Sequence, residues 1–224
     1  MTDVGELLHE SIDLGLARIR DGKHRYRLGV MGGTFDPIHI GHLVTAEAVR
    51  IEYCLERVLF IPAGNPPHKQ DSQVTPAFHR YIMTAMATYS NPYFYVSAIE
   101  LERPGPSFTI DTLRTLVGRY GGRAEFYFIT GADAVGDLPT WKDINQVLDL
   151  CRFVATTRPG VVSMIDDVVR VLGAKGRERI YRLTTPELEI SSTDIRERVK
   201  RGRSIKYIVP ESVENYILKE GLYL

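Results

Sequence analysis

The sequence predicts an α/β protein of one domain, with a doubly wound, mostly parallel sheet of the Rossmann-like kind. From residue 26 onward, short apolar runs alternate with amphipathic segments of helical period. Gly- and Pro-rich turns separate most of these segments. The run 124–130 is almost continuously apolar, as is typical of a strand covered on both faces. Strands that alternate with helices favour parallel pairing through right-handed crossovers.

Length and charge narrow the class of protein further. The chain has 224 residues, which we divide into an N-terminal helical extension (1–26) and a domain with C-terminal helices (27–224). Its 28 basic and 28 acidic residues give a net charge of +0, which argues against nucleic-acid binding or a polybasic membrane anchor. No apolar run approaches the roughly 20 residues of a spanning helix, and no signal peptide is evident. Cys54 and Cys151 stand singly in apolar segments, which predicts buried, unpaired thiols and a cytoplasmic protein.

Four strands are expected between residues 26 and 130. Apolar residues at i, i+4, i+7 and i+11 from Val44 indicate a helix that starts near Gly41. Thr75 followed by Pro76 is typical of an N-cap and a first helical residue. Ser107 or Thr109 is expected to cap the next helix. The predicted strands cover 26–31, 57–61, 93–99 and 124–130, and the predicted helices cover about 41–55, 76–89 and 109–120.

The second half continues the alternation of helices and strands. Ser163 and Asp166 resemble a capping box at the start of a helix. Gly202 and Gly221 are expected to end the last two helices. The predicted strands cover 152–156 and 179–183, and the predicted helices cover about 141–150, 163–172, 191–201 and 211–220.

Polar residues follow the predicted strands at several places. Ligands of open α/β sheets lie outside the carboxyl ends of the strands, so loops that follow different parallel strands meet at one edge. The loops with candidate polar groups are 32–42, 65–69, 131–133, 158 and 191–196. The sequence therefore predicts a binding site that several loops build together.

The loop at 32–42 indicates phosphate binding. It joins a strand to a helix start, where free backbone N–H groups and the helix dipole favour an anion. His39 and His42 add two imidazoles beside the Gly32-Gly33 turn. The loop matches neither a Walker A loop nor the dinucleotide G-x-G-x-x-G pattern. A metal-binding pair and a pair of structural histidines remain open, although no spacing supplies an obvious third metal ligand.

Two segments resemble the nucleotidyltransferase superfamily. The first is 32–42, whose His39-Ile40-Gly41-His42 resembles the (H/T)xGH signature, and the second is 190–196, a Ser/Thr-rich helix start that ends in arginine. Within that superfamily the chain is similar to the bacterial nicotinate-nucleotide adenylyltransferases over residues 28 to about 220. The segments that carry this narrower likeness are 66–69, 107–113, 131–133 with Trp141 following, and 157–160. Phe108 departs from the tyrosine that many members carry there, so only Thr109 is carried over from that run.

The resemblance implies adenylyl transfer from ATP to nicotinate mononucleotide, which yields deamido-NAD and pyrophosphate. It implies that His42 donates to the α-phosphate, that His39 holds the phosphates beside it, and that Arg196 adds positive charge. The implied ATP-binding residues are Gly33, Thr34, Phe35, His39, His42, Gly131, Asp133, Ser191, Ser192, Thr193 and Arg196. The implied mononucleotide-binding residues are Lys69, Thr109, Trp141 and Arg158. Mg²⁺ would arrive with ATP, held by the nucleotide and by water, so no set of metal ligands is expected from the protein.

The sequence leaves other functions open. A sibling enzyme could act on nicotinamide mononucleotide, phosphopantetheine or glycerol phosphate, although Trp141, Arg158 and the 66–69 segment argue against them. The HIGH tetrapeptide also occurs in class I aminoacyl-tRNA synthetases, but a lysine-rich second motif is missing. A nucleotide sensor without catalysis belongs to a different class of function. The sequence leaves the oligomeric state open, a homo-oligomer included.

Overall fold

The structure, a computed structural model, describes residues 25–67, 74–157, 162–186 and 188–224. The predicted extension 1–26 therefore lies almost wholly outside the described residues. The strands are β1 (Tyr26–Gly33), β2 (Arg57–Pro62), β3 (Phe94–Val96), β4 (Ala124–Gly131), β5 (Cys151–Thr157) and β6 (Ile180–Thr184). The helices are α1 (Ile40–Glu52), α2 (Ala77–Thr88), α3 (Thr109–Tyr120), α4 (Ala132–Val135), α5 (Ile144–Leu150), α6 (Val162–Val171), α7 (Gly173–Arg179), α8 (Ser192–Lys200) and α9 (Glu211–Glu220).

The six strands form one parallel sheet in the order β3-β2-β1-β4-β5-β6. The chain runs outward from β1 to β3, returns to the middle at β4, and then runs outward to the other edge. Val30 of β1 lies between Leu59 of β2 and Phe128 of β4. The predicted doubly wound parallel sheet is confirmed, and the strand order reverses between β1 and β4.

Helices cover both faces of the sheet, and each face has its own apolar core. Alternate residues of one strand belong to opposite cores, as the two-residue period of a strand requires: Phe126 and Phe128 pack on one face, and Tyr127 and Ile129 on the other. The first core contains residues of α3, α5 and α6. The second contains residues of α1, α2, α8 and α9. This arrangement explains why the strand segments of the sequence are apolar almost without interruption.

Several predicted helix starts are wrong in detail. Pro76, and not Thr75, precedes α2, and the backbone N–H of Thr75 instead donates to Oδ2 of Asp36 at 3.2 Å. Phe108 precedes α3 without a side-chain cap, so neither Ser107 nor Thr109 is the cap. Ser163 lies inside α6 and cannot be its N-cap. The Thr75 side chain hydrogen-bonds with Tyr223 and does not cap the helix.

The two cysteines differ in exposure. Cys151 is buried, as predicted, but Cys54 is exposed because it sits in a left-handed turn (φ +50°) after α1. Neither thiol is in a disulfide.

None of the helices in the described ranges is long and apolar enough to cross a membrane.

Candidate active site

Two cavities open at the carboxyl ends of the strands, on either side of the end of β1. The histidine cavity, of about 340 Å³, is lined by residues after β1, β4, β5 and β6, His39 and His42 among them. The tryptophan cavity, of about 410 Å³, is lined by Trp141, Phe108 and residues after β1 and β2. Both volumes fall within the range of small-molecule sites. Gly32 and Gly33 line both cavities, so ligands in the two would meet at the point where the strand order reverses.

The two histidines form a compact unit at the start of α1. Their rings stack with centroids 3.7 Å apart, and the edge of the Phe35 ring lies against His42 at 5.1 Å. The backbone N–H of His39 donates to Nδ1 of His42 at 3.2 Å. Because Nδ1 accepts, a neutral His42 carries its ring hydrogen on Nε2, which is left as a donor to a ligand.

Burial keeps both imidazoles neutral. It lowers the pKa of His39 from its ordinary 6.5 to about 4. Burial also lowers the pKa of His42 well below the ordinary value, with a further contribution from the neighbouring His39. The backbone N–H of His42 faces the His39 side chain but donates to the His39 carbonyl at 3.0 Å, and the buried Nδ1 of His39 makes no well-formed hydrogen bond with the described residues. A buried imidazole nitrogen that is poorly satisfied is costly for folding alone, which favours a ligand-binding role.

Acid should destabilise the protein through His39. The unfolded chain protonates this imidazole near pH 6.5 and the folded chain only near pH 4, so the unfolded state binds more protons between these values. We expect the free energy of unfolding to fall by about 3 kcal/mol from this residue alone as the pH drops through that window. Above it the ring is neutral in both states and the contribution is constant.

Urea unfolding of wild type and His39→Gln at about pH 7 and about pH 4 measures this effect. Carboxylates contribute similarly to both proteins, so the difference between the two acid losses isolates His39. The variant should lose less stability than wild type. Equal losses would contradict a depressed pKa at His39.

The two signature segments are joined by hydrogen bonds from α8 to the 32–42 loop. The Ser192 hydroxyl donates to the carbonyl of Pro37 at 2.9 Å. Nη1 of Arg196 donates to the carbonyl of Asp36 at 2.7 Å, and its Nη2 donates to Oγ1 of Thr193 at 3.2 Å. These contacts fix the helix start at 191–192 beside the histidines, although the two segments are far apart in sequence.

Arg80 is a central residue of the site that the sequence reasoning missed. Its side chain is buried, and its guanidinium donates to the carbonyls of Thr75 (2.7 Å), Thr34 (2.7 Å) and Gly64 (3.2 Å). Burial lowers its pKa, while the Asp36 carboxylate nearby acts in the opposite direction. One side chain therefore holds the loops after β1 and β2 and the segment that precedes α2.

Asp36 is a second residue whose hydrogen bonds hold the 32–42 loop in place. Its carboxylate accepts from the Tyr223 hydroxyl at 2.8 Å and from the backbone N–H of Thr75 at 3.2 Å. Burial, together with the Asp36 carboxylate, raises the pKa of the Tyr223 phenol. The segment after α9 thereby reaches back to the 32–42 loop, which no local sequence pattern indicates.

The tryptophan cavity has aromatic walls. Trp141 packs edge-on against Phe128 and Phe153, at 5.8 and 5.9 Å between centroids. It lies in the connection between a short 3₁₀ turn (Leu138–Thr140) and α5, and not inside the helix predicted at 141–150. Thr109, the first residue of α3, lines the same cavity. Thr109 and Trp141, which the resemblance assigns to one ligand, therefore line the same cavity.

The structure brings together most, but not all, of the predicted site residues. Thr34 lines the tryptophan cavity, whereas Thr193 and Arg196 are not among the lining residues of either cavity. Lys69 and Arg158 lie outside the described residues, as does the side chain of Asp133. The predicted residues that line the histidine cavity are Gly33, Phe35, His39, His42, Gly131, Ser191 and Ser192.

Hydroxyl side chains of the histidine cavity were also missed. Thr45 lies one turn after His42, Thr156 and Thr157 are the last two residues of β5, and Thr185 directly follows β6. Their positions at strand ends are the same signal that identified the other loops. Threonine is common in β-strands for structural reasons, so a threonine at a strand end is by itself weak evidence of a binding site.

Fold and site together define a nucleotide-binding α/β protein with two adjoining ligand cavities. The family model described as cytidylyltransferase-like matches residues 30–198, and the chain belongs to this family.

Individual relatives and a solved structure are similar to the chain over most of its length. A Thermoanaerobacter sp. protein named probable nicotinate-nucleotide adenylyltransferase is 57% identical over 198 residues, which cover 88% of this chain and 94% of that protein. A protein of the same name from Moorella thermoacetica is 53% identical, with 88% and 91% covered. The fold is similar to Plasmodium falciparum nicotinic acid mononucleotide adenylyltransferase complexed with NaAD. That likeness has a TM-score of 0.72 at 19% identity and covers 89% of this chain and 98% of the other.

Proposed function

We propose that this protein transfers the adenylyl group of ATP to nicotinate mononucleotide in the cytoplasm, giving deamido-NAD and pyrophosphate for NAD biosynthesis. The observation that carries the proposal is the pair of cavities that meet at Gly32 and Gly33. One is lined by neutral imidazoles and hydroxyls, which suit phosphates, and the other by aromatic rings, which suit a pyridine. Relatives that are 53% and 57% identical carry the name of this activity.

ATP binds in the histidine cavity under this proposal. His42 donates from Nε2 to the α-phosphate, and His39 contacts the phosphates beside it. Ser191 and Ser192, at the start of α8, bind the β- and γ-phosphates with help from Thr193 and Arg196. The adenosine contacts Gly131, where a β-carbon would meet no described residue within 4 Å apart from the chain neighbours, and Asp133 accepts from a ribose hydroxyl. The backbone of Gly33, Thr34 and Phe35 completes the phosphate site.

Nicotinate mononucleotide binds in the tryptophan cavity. Trp141 stacks on the pyridine ring, and Thr109 with neighbouring backbone N–H groups binds the ring carboxylate. Lys69 and Arg158 contact the phosphate in this assignment. The acceptor phosphate then lies near Gly33, where the two cavities meet.

The chemistry needs positioning more than acid–base catalysis. An oxygen of the acceptor phosphate attacks the α-phosphorus in line, and the bond from that phosphorus to the bridging oxygen breaks. The electron pair leaves with pyrophosphate. The nucleophile is already ionised near neutral pH, so a strong general base is not required. Alignment of two bound reactants supplies about 7–11 kcal/mol, and one well-placed donor such as His42 about 3–4 kcal/mol.

Mg²⁺ is the metal that this reaction implies. In the described ranges, no three His, Cys, Asp or Glu side chains lie close enough to share a metal ion. The Thr45 and Thr157 hydroxyls, which line the histidine cavity, would suit an ion that stays on the phosphates and keeps its waters. Such an ion would neutralise phosphate charge.

A pyrophosphate-release assay with ATP and a panel of acceptors tests the proposal. The panel contains nicotinate mononucleotide, nicotinamide mononucleotide, phosphopantetheine and glycerol phosphate. Nicotinate mononucleotide should give the highest kcat/KM. Preference for another acceptor would assign the protein to a sibling activity, and binding of ATP without turnover of any acceptor would support a sensor.

Gly41→Ala should lower turnover without unfolding the protein. A β-carbon at position 41 would lie 3.0 Å from Nδ1 and 3.1 Å from Cε1 of His39, so the imidazole must move by a few tenths of an ångström. Because a misplacement of about 1 Å can cost about 100-fold in rate, we expect kcat to fall by about tenfold.

Gly118→Ala in α3 is the matched control, since its β-carbon would meet no atom within 4 Å. It should keep the wild-type kcat and gain slightly in thermal stability. If Gly41→Ala turned over as fast as this control, His39 would not need its present position.

A further inference from the structure

We propose that the ammonium group of Lys142 makes this enzyme select an acceptor whose pyridine ring carries a carboxylate over one that carries a neutral amide. The inference rests on the proposed function and assigns a specificity-determining residue within it. Lys142 was not among the residues singled out in the sequence.

Lys142 stands at the aromatic wall of the tryptophan cavity. It follows Trp141 directly and lines the same cavity as Phe108 and Thr109. Its Nζ lies over the Phe108 ring, 4.4 Å from the centroid, and its side chain is 46% exposed. A ring stacked on Trp141 would therefore place its substituent within reach of a positive charge on a flexible stem.

Charge within the cavity is distributed unevenly. Among the described lining residues, Glu100 and Lys142 are the two that carry a charged group. The Glu100 carboxyl accepts from the Thr112 hydroxyl at 2.5 Å, and burial raises its pKa. Among the described lining residues, that end of the cavity supplies no cation to a ligand carboxylate. The Lys142 end offers a cation.

Asp111 is the acid that competes for Lys142. Its Oδ2 lies 3.5 Å from Nζ of Lys142, and its Oδ1 lies 3.6 Å from Nη1 of Arg114. Asp111 keeps a cationic partner when Lys142 turns toward a ligand. A half-exposed ion pair of this kind contributes at most about 1 kcal/mol. The contact with Asp111 therefore does not prevent the Lys142 ammonium from turning toward a ligand.

Fluorescence of Trp141 provides a binding assay that does not depend on turnover, because this residue is the single tryptophan of the chain. Quenching is titrated with nicotinate mononucleotide and with nicotinamide mononucleotide, and the ratio of the two Kd values is the measured quantity. We expect Lys142→Gln to reduce the preference for the acid by about fivefold and Lys142→Arg to retain it. Raising salt from about 0.01 M to about 1 M should weaken the preference in wild type but not in Lys142→Gln, because the Debye length shortens from about 30 Å to about 3 Å.

Lys175→Gln is the matched control. Lys175 pairs with Asp149 at 2.7 Å, is 41% exposed and lines neither cavity. It should keep the wild-type ratio. An unchanged ratio in Lys142→Gln, or equal weakening of both ligands, would overturn the assignment.

Turnover separates this proposal from the proposed function. Turnover of nicotinate mononucleotide by wild type, with no shift in the binding ratio of Lys142→Gln, overturns the role of Lys142 alone. If Lys142→Gln shifts the binding ratio but wild type releases no pyrophosphate with any acceptor, the proposed enzyme function alone is overturned.

Discussion

His42→Ala is expected to lower kcat by about 100- to 1,000-fold while the protein stays folded. The ring accepts from the His39 backbone N–H, so its remaining hydrogen is a neutral Nε2–H donor held in place before the reaction begins. A donor that is already oriented in a poorly solvated site stabilises the charge that develops on the α-phosphate at little reorganisation cost. Pyrophosphate release at saturating ATP and nicotinate mononucleotide measures the loss.

His79→Gln is the control for this experiment. Nδ1 of His79 lies 2.8 Å from the Tyr216 hydroxyl at the contact of α2 with α9, and the residue lines neither cavity. Its kcat should stay within about twofold of wild type, as expected for a residue outside the site. A loss of less than about tenfold in His42→Ala, or about 1.4 kcal/mol, would contradict a transition-state role for His42.

The fold was predictable because its signals are local. A strand buried on both faces must be apolar along its length, and a helix that covers it must repeat its apolar residues every three to four positions. The 124–130 run, observed as β4 (Ala124–Gly131), and the helix predicted at 211–220, observed as α9, show both patterns clearly. Parallel pairing then brings the strand ends together, so the edge that carries the loops could also be inferred.

Helix starts were less predictable because tertiary contacts compete with local capping. Thr75 has the right side chain and a following proline, yet its side chain hydrogen-bonds with Tyr223, which lies far away in sequence. Trp141 falls at the end of a 3₁₀ turn and not in a helix, since Asp143 takes a left-handed conformation (φ +53°) just before α5. Such choices depend on partners that no short window of sequence contains.

The hydrogen bonds that support the site could not be predicted from composition or period. Arg80 lies in α2 and binds three carbonyl groups on separate loops, and a carbonyl gives no sequence signal. Tyr223 likewise binds Asp36 across the whole domain. Most residues proposed to contact ligands were recognisable from their chemistry, whereas those that hold the loops in place became visible only in three dimensions.

Arg80→Met should lower the free energy of unfolding by about 3–4 kcal/mol. The arginine is 1% exposed, and its replacement fills similar space without the donors, so the carbonyls of Thr34, Gly64 and Thr75 lose their partner. Each buried acceptor left unsatisfied costs about 1–3 kcal/mol, and partial access of water to these loops keeps the sum at the lower end. Urea unfolding at about pH 7 measures the change.

The same variant should also raise KM for nicotinate mononucleotide more than KM for ATP. Thr34 and Gly33 border the tryptophan cavity, and the loop after β2 forms part of its opposite wall, so loosening both loops affects the acceptor first. Arg198→Met is the matched control, because Arg198 is 43% exposed and its one ion pair with a described residue is to Asp194, one turn away. It should change stability by less than about 0.5 kcal/mol and leave both KM values unchanged. If Arg80→Met matched this control in stability, the three carbonyl contacts would not be holding the loops together. A stability loss with no change in KM would instead mean that Arg80 supports the fold without positioning the acceptor.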